Sequence, residues 1–412
     1  MNKPINDCRS VAARAVATVL AAGLRPAGQR RQNRLRLLAA ACRPRVAGRL
    51  WRTCFAVVVS CSPSRADWPL IRGDANATGA IAENLQRPLD VLWTYPARDS
   101  GFEATASIVD GIVYVGDMDG QFHAISLADG EPIWIKKFKE TGFVAGSAVV
   151  NGRIYCVDFN GVVRCLDAAN GEPVWEFETE TLLYAAPNVH EGKVLIATES
   201  GELYALDAAT GKKVWEPFTI DQPLRSWPTV VEGRVLVAGC DGRLHAVDVA
   251  TGKSIENIDI GGPADGMPAV LGDHVFFCTA GGVFHGMKIN PLARDWQYGH
   301  SGRSEELHAA AVNEKAVVLA THDKRIVALD PAKGGELWTF SLKARAESSP
   351  VIAGNLALCG TIRGRFHAID MTTGEEVWQT DVGGRFTASP ALADGRLVIG
   401  NEDGALYCIG GK

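Results

Sequence analysis

The sequence predicts an all-β fold, an eight-bladed β-propeller of four-stranded blades, because one pattern recurs from about residue 90 to the end of the 412-residue chain. Three series of positions, a tryptophan, a turn glycine and a small residue or proline, each recur at intervals of about 41 residues. Self-similarity at a fixed period of roughly 20 to 50 residues is the signature of repeat architectures. The three series agree on eight units.

The tryptophan series closes the units at Trp93, Trp134, Trp175, Trp215, Trp296, Trp338 and Trp378, with Glu256 in the slot between Trp215 and Trp296. The glycine series is Gly120, Gly161, Gly201, Gly242, Gly282, Gly364 and Gly404, with Lys324 in the sixth slot. The third series is Ala106, Ser147, Pro187, Pro228, Pro268, Ala310, Pro350 and Pro390. We expect the tryptophans to be structural, since each offers a flat apolar surface to a neighbouring blade and an indole N–H that needs an acceptor.

Each unit contains four short apolar runs separated by turn residues. In the third unit, K-V-L-I-A-T is followed by an S-G turn, then by E-L-Y-A-L-D, A-T-G and K-V-W. Short runs rich in β-branched residues, with D-G, N-G or S-G between them, indicate strands joined by hairpins. Four strands within a period near 40 are typical of a propeller blade.

The two ends of the repeat region predict how the ring closes. The last unit, from Phe386 to Ile409, stops after three strands and lacks its tryptophan, whereas Trp93 precedes the first complete unit. We therefore expect the strand around Asp90–Tyr95 to pair into the blade that the C-terminal segment begins. Closure of this kind removes free sheet edges. The propeller then spans residues 90–412, with a lead-in over 67–89.

Residues 1–66 are expected to be a basic leader outside the fold. They carry twelve arginines and one lysine against a single acid, Asp7. Val58-Val59-Ser60-Cys61 has the form of a lipobox with Cys61 as the acylated residue, and Ser64–Ala66 is a small-x-small sequence of the kind that signal peptidase cuts. Lipidation and cleavage after Ala66 both stay open, as do a disordered basic arm, an organelle transit sequence and a translation start near Val46. We favour export to the periplasm or outer membrane.

The charge of the remaining chain excludes some functions. The net charge is −5, so the +12 of the leader leaves the other 346 residues at −17. An acidic body argues against a nucleic-acid binder, which needs a basic face to neutralise phosphates. No apolar run reaches the roughly 18 residues of a membrane-spanning helix. Membrane contact is thus expected only through a lipid anchor.

Two segments resemble a known family. Ala205–Trp215 reads A-L-D-A-A-T-G-K-K-V-W and Ala368–Trp378 reads A-I-D-M-T-T-G-E-E-V-W. Both fit the A-x-D-x-x-T-G-x-x-x-W repeat of quinoprotein propellers, the pyrroloquinoline-quinone-like repeats, and four further units match more loosely. The opening W-P-L-I-R-G-D at Trp68–Asp74 is similar to the lead-in of exported members.

The resemblance implies either an enzyme or a scaffold. Family enzymes are quinone-dependent alcohol or sugar dehydrogenases, for which it implies calcium, a catalytic aspartate and often an adjacent Cys-Cys disulfide. This sequence has no Cys-Cys pair, matches no catalytic residue, and has few insertions that could enclose a cofactor. Smaller members, such as the outer-membrane barrel-assembly lipoproteins, are non-catalytic scaffolds. We therefore expect a monomeric, non-enzymatic scaffold without cofactor that binds a protein partner, with the dehydrogenase as the alternative.

Histidines and cysteines are expected to fill the core. His123, His245, His285 and His367 occupy one repeat slot on different blades and so do not converge on a metal ion. Cys156, Cys165, Cys278, Cys359 and Cys408 stand in slots for small or apolar residues. Buried thiols behave as small apolar groups. A Cys156–Cys165 disulfide across the Asn160-Gly161 turn stays open, because an exported protein can form one.

The channel mouth is the predicted binding region. Residues three positions before the small-or-proline series begin each inner strand, where repeat-related side chains approach a common axis. With their neighbours they give the candidate binding residues Glu103, Tyr184, Arg225, Trp227, Asp265, His308, Glu347 and Arg385. Mixed charges with aromatics are typical of a partner surface. A solvated rim has the same composition, so this alternative remains.

Overall fold

The computed structural model describes residues 67–97, 100–158, 160–264, 266–299 and 309–412. Throughout these residues the secondary structure consists of strands and turns, without a helix. The strands form eight separate sheets arranged as the blades of a propeller, which confirms the predicted fold class. No helix in the described ranges is long and apolar enough to cross a membrane.

The described part of the chain begins with β1 (Ala80–Ile81) and β2 (Leu89–Pro96). The strands of blades one to four are β3 (Ser107–Val109), β4 (Ile112–Gly116), β5 (Gln121–Ser126), β6 (Pro132–Lys137), β7 (Ala148–Val150), β8 (Arg153–Val157), β9 (Val162–Asp167), β10 (Pro173–Glu178), β11 (Asn188–His190), β12 (Lys193–Ala197), β13 (Glu202–Asp207), β14 (Phe218–Thr219), β15 (Thr229–Val231), β16 (Arg234–Ala238), β17 (Arg243–Asp248) and β18 (Ser254–Asp259).

Blades five to eight continue in the same order. Their strands are β19 (Ala269–Leu271), β20 (His274–Thr279), β21 (Val283–Ile289), β22 (Leu292–Tyr298), β23 (Ala311–Val312), β24 (Val317–Thr321), β25 (Arg325–Leu329), β26 (Glu336–Ser341), β27 (Val351–Ala353), β28 (Leu356–Gly360), β29 (Arg365–Asp370), β30 (Glu376–Asp381), β31 (Ala391–Ala393), β32 (Arg396–Gly400) and β33 (Ala405–Gly411).

The ring closes as the sequence predicts. β2 pairs antiparallel with β33, in the sheet order β2-β33-β32-β31, and Trp93 lies opposite Cys408. The N-terminal strand is therefore the outer strand of the eighth blade. Because sequence-distant strands share one sheet, the chain ends hold the ring shut.

The core lies between the blades. The second and third strands of each blade, such as β12 and β13, are buried over four consecutive residues. Consecutive strand residues point to opposite faces, so these sheets are covered on both sides by neighbouring blades. The outer strands instead alternate exposed and half-buried residues, as in β26.

Antiparallel connections give the ring two distinct faces. The turns between first and second strands and between third and fourth strands lie on one side, here called the hairpin face. The turns between second and third strands, and the links from one blade to the next, lie on the other, here called the loop face. Asp67 accepts a hydrogen bond from the backbone N–H of Asp110, a hairpin-face turn residue, and Leu89 pairs with Gly411. Both ends of the described chain are therefore on the hairpin face.

The lead-in crosses the channel, which the sequence did not reveal. Its carbonyls accept hydrogen bonds from the inner-strand N–H groups of six blades, with N···O distances of 2.7 to 3.0 Å. The donor and acceptor pairs are Ile108 to Trp68, Val149 to Pro69, Val230 to Ala75, Val270 to Asn76, Val312 to Thr78 and Ile352 to Gly79. β1 also adds parallel to β27. The innermost strands would otherwise present unpaired N–H groups at the channel, and the carbonyls of the lead-in accept hydrogen bonds from six of them.

Cys156 and Cys165 are free and buried. In the register of β8 and β9, Cys165 lies opposite Tyr155 and Cys156 lies opposite Arg164. Adjacent strand residues point to opposite faces, so the two thiols belong to different inter-blade cores. Cys156 and Cys165 are thus separate thiols and do not form the disulfide bond that the sequence left open.

Candidate functional site

The tryptophan series joins each blade to the next. The indole N–H groups donate to backbone carbonyls 33 to 35 residues further along the chain, at N···O distances of 2.9 to 3.4 Å. The pairs are Trp93 with Leu127, Trp134 with Ala168, Trp175 with Ala208, Trp215 with Val249, Trp296 with Pro331 and Trp338 with Met371. Trp378 packs at the edge of the core of the closing blade. These contacts support the structural role that the sequence predicts.

The glycine of the T-G pair explains why each indole fits. Gly211 has φ +59, and a Cβ atom there would lie 2.8 Å from the Trp175 ring. Gly252 has the same relation to Trp215, at 2.5 Å. Only a residue without a side chain allows the turn and the indole to approach this closely. The T-G and W positions therefore act together across a blade boundary.

Glu256 replaces the missing tryptophan with a polar link. Its Oε2 accepts the backbone N–H of Leu292 in the next blade at 3.1 Å. Its Oε1 accepts from Nη1 of Arg234 at 2.6 Å, and the same nitrogen donates to the carbonyl of Ile289 at 3.1 Å. The blade boundary is thus bridged by charge-assisted bonds instead of an indole.

Of the predicted binding residues that the structure describes, Glu103, Tyr184, Arg225, Glu347 and Arg385 lie in blade-to-blade links on the loop face. Two groups of them contact each other or nearby turns. In the first group, Nε of Arg225 donates to Oε2 of Glu199 at 2.7 Å, and Nη2 bonds to Oε1. The Arg225 guanidinium also lies over the Tyr184 ring, 5.5 Å from its centroid. Arg225 is only 8% exposed, and its guanidinium ties the link between the third and fourth blades to the β12–β13 turn of the third blade.

The second group spans blades six to eight. Glu347 accepts from Nη2 of Arg345 at 2.7 Å and from Nε of Arg385 at 3.0 Å. Arg345 also contacts Nε2 of His322 at 2.9 Å, and Arg385 lies 3.5 Å from Glu402. Burial alone would lower the pKa of Arg385, but Glu347, Glu402 and Glu103 raise it. The sequence did not indicate Glu199, Glu402 or His322, because all three are in turns that approach the links only in the folded ring.

Trp227 differs from the other candidates. It packs with Ile71 and Ala77 of the lead-in and with Met267. It therefore lies deeper in the channel than the mouth that the sequence predicts. Asp265, His308 and the lipidation candidate Cys61 lie outside the described residues.

The histidine slot is buried and polar, as its inter-blade position predicts. Nε2 of His123 lies 3.1 Å from Asp117 and Nδ1 lies 3.1 Å from the Tyr95 hydroxyl. Burial, and then the charge of Arg294, lowers the pKa of His285 to about 4. Within the described residues, no group of three or more His, Cys, Asp or Glu side chains is placed to hold a metal ion.

One family model matches most of the described chain. The family model described as outer membrane protein assembly factor BamB matches residues 89–226, 160–255, 218–338 and 322–409. No curated protein sequence matches the chain.

Three solved structures illustrate the shared fold. BamB from Moraxella catarrhalis is 20% identical, covers 79% of this chain and 98% of its own, and superposes with a TM-score of 0.68. Quinohemoprotein alcohol dehydrogenase from Comamonas testosteroni is 19% identical, with coverage of 84% and 81% and a TM-score of 0.69. A europium-containing methanol dehydrogenase is 14% identical, with coverage of 84% and 98% and a TM-score of 0.71. At these identities the likeness shows the fold alone.

Proposed function

Because the chain belongs to the family of outer membrane protein assembly factor BamB, we propose that it is an exported, non-enzymatic scaffold that binds a protein partner in the cell envelope. The partner belongs, in this proposal, to outer-membrane protein assembly. Its N-terminus is lipidated at Cys61 or cleaved after Ala66, in the periplasm or at the outer membrane.

The arrangement of the two faces is the observation that carries this proposal. The described chain enters and leaves the ring on the hairpin face, and the lead-in crosses the inner strands close to that face. An anchor ahead of Asp67 attaches the ring by its hairpin face. The loop face, with the Arg225 and Glu347 groups, is then free for a partner. Rigid repeats that display variable loops suit such a task.

Leu182 supplies an apolar contact within this loop face. It is 44% exposed, lies two residues before Tyr184, and its carbonyl accepts the N–H of Glu199 at 3.0 Å. An exposed apolar side chain beside partly buried charged groups is the composition of an interface centre with a polar rim. We therefore place the partner over the third and fourth blades.

A matched pair of variants tests this placement. Leu182→Asp should abolish capture of the partner by the tagged protein from its native envelope after crosslinking. Val214→Asp changes an aliphatic residue that is 42% exposed near the outer strand of the same blade, and it should leave capture unchanged. Equal capture by both variants, with equal thermal stability, would refute the placement. The same captured sample reports the N-terminal peptide and any lipid on Cys61.

The alternative function is a pyrroloquinoline-quinone-dependent alcohol or sugar dehydrogenase, which the shared fold with such enzymes keeps in view. The purified protein with calcium and the quinone should leave a dye acceptor unreduced on alcohols and sugars. Dye reduction that depends on added quinone would favour the enzyme instead.

A further inference from the structure

Hydroxyl and amide side chains link neighbouring blades around the channel. In three blades, the residue that follows the small-or-proline position donates a side-chain hydrogen bond. The acceptor is the backbone carbonyl of the small-or-proline residue in the next blade. Ser107 donates to Ser147 at 2.6 Å, Asn188 to Pro228 at 2.9 Å and Thr229 to Pro268 at 2.5 Å. These bonds join blades one to two, three to four and four to five.

Arg72 of the lead-in supplies the next two links. The donor positions in blades five and six are Ala269 and Ala311, which have no polar side chain. Nη2 of Arg72 instead donates to the carbonyls of Ala310 at 3.0 Å and Pro350 at 2.6 Å. These carbonyls are the acceptors that the two alanines leave without a side-chain donor. The ring thus binds the guanidinium of an arginine in the segment that lies in its channel.

The conformation of the lead-in is fixed around this arginine. Gly79 has φ +63, and a Cβ atom there would lie 2.0 Å from Nη2 of Arg72. Gly73 has φ +89, and a Cβ atom there would lie 2.9 Å from the Trp68 ring. Trp68 is fully buried. The segment folds into turns, in which Gly73 donates to the carbonyl of Leu70 and Gly79 to that of Arg72. These two glycines allow a fixed backbone shape that presents Trp68 and Arg72 to the ring.

The hold on the lead-in is nevertheless incomplete. Within the described part of the chain, Nε1 of Trp68, Nε and Nη1 of Arg72 and Nε1 of Trp227 are buried without an acceptor from the protein. Burial without an acceptor opposes binding. Each of the eight blades has four strands without the segment, which adds the two-residue strand β1, the bridge between Trp68 and Ile108 and single backbone bonds along the inner strands. Residues 82–84, which follow the segment, are exposed.

We propose that the central channel is a binding site for an arginine-containing peptide with turns, and that the lead-in occupies this site as an exchangeable ligand in cis. The N–H groups of the inner strands donate to main-chain carbonyls of the peptide. The carbonyls of Ala310 and Pro350, in blades six and seven, accept hydrogen bonds from its guanidinium. The proposal is independent of the proposed function, because it concerns the central channel and not the loop face, and its test needs no partner protein.

The test cuts the segment free without removing it. A specific protease site is inserted after Glu83, an exposed position, and the folded protein is cleaved there. A fluorescent peptide of residues 67–81 is then added in excess, and exchange is followed by fluorescence anisotropy. We expect the labelled peptide to replace the native segment, while the far-ultraviolet circular dichroism of the ring stays unchanged.

Competing peptides test the recognition. The Arg72→Gln peptide should compete at least about tenfold more weakly, because it loses two charge-assisted hydrogen bonds. The Asn76→Ala peptide is the matched control and should compete as well as the native one, because Asn76 bonds to the ring through its carbonyl. Failure of exchange, collapse of the ring after cleavage, or equal competition by the Arg72→Gln peptide would each overturn the proposal.

Discussion

The ion pair between Arg225 and Glu199 is predicted to hold the link between the third and fourth blades against the third blade at the loop face. Two hydrogen bonds join the side chains, and Arg225 is 8% exposed. Breaking a buried pair by removing one partner costs about 3–5 kcal/mol, since the other charge stays buried and unpaired. Glu199 is 22% exposed, which moderates this cost. We therefore expect Arg225→Glu to lower the free energy of unfolding by about 3 kcal/mol.

A double-mutant cycle measures the coupling. Urea unfolding, followed by tryptophan fluorescence, is compared for the wild type, Arg225→Glu, Glu199→Arg and the charge-swapped double variant. The swap should recover at least about 2 kcal/mol relative to the sum of the single changes, because residues in contact couple by up to about 3 kcal/mol. Arg365 and Asp381 form an exposed pair for comparison, with side chains 27% and 56% exposed, and should couple weakly. Additive effects at Arg225 and Glu199 would refute the reasoning.

Three further measurements address the core. In urea unfolding, Trp175→Phe should lower the free energy of unfolding by about 1 kcal/mol, because the indole hydrogen bond is lost. Trp175→Ala should lower it by about 3–5 kcal/mol, because the packed ring is lost as well; equal losses for the two variants would contradict this division. Lowering the pH from 8 to 5 should cost about 2 kcal/mol at His285, whose pKa falls from 6.5 to about 4 on burial, because the unfolded chain then binds a proton that the folded chain does not. His285→Phe should lack this part of the pH dependence, and an unchanged profile would contradict the assignment. Burial raises the pKa of Cys165 to about 12 and also raises that of Cys156, so both thiols should react with a disulfide reagent at pH 8 only in urea. A crosslink between them in the native protein would contradict their placement on opposite faces.

The repeat made the fold predictable from the sequence. The truncated last unit and the early Trp93 together predicted the pairing of β2 with β33, because a missing strand at one end and an extra one at the other have a single solution in a closed ring. Glu256 in a tryptophan slot likewise kept its place at a blade boundary, where it accepts a bond from the next blade.

Features outside the repeat were harder to predict. The path of the lead-in depends on main-chain carbonyls, which leave no pattern in the sequence. The similarity of Trp68–Asp74 to the lead-in of exported family members did not indicate where the segment lies. The cysteine pair shows how little separates two outcomes. Cys165 lies opposite Tyr155, one residue away from Cys156, and a shift of one residue moves a side chain to the other face.

The candidate site was predicted in part. Repeat spacing placed Arg225, Glu347 and Arg385 on one face, but not their partners in neighbouring turns. Those partners decide how much charge each arginine offers to another molecule. Such contacts join turns of one blade to links of the next, and they depend on the geometry of the closed ring.

The most direct test of the central claim is site-specific photocrosslinking in the native envelope. A photoreactive residue replaces Leu182 on the loop face or, in the control, Ala169 on the hairpin face, which is also exposed. The account predicts that Leu182 gives an adduct with a protein of outer-membrane assembly and that Ala169 does not. The same adduct from both positions, or adducts only from Ala169, would contradict a scaffold that binds its partner through the loop face.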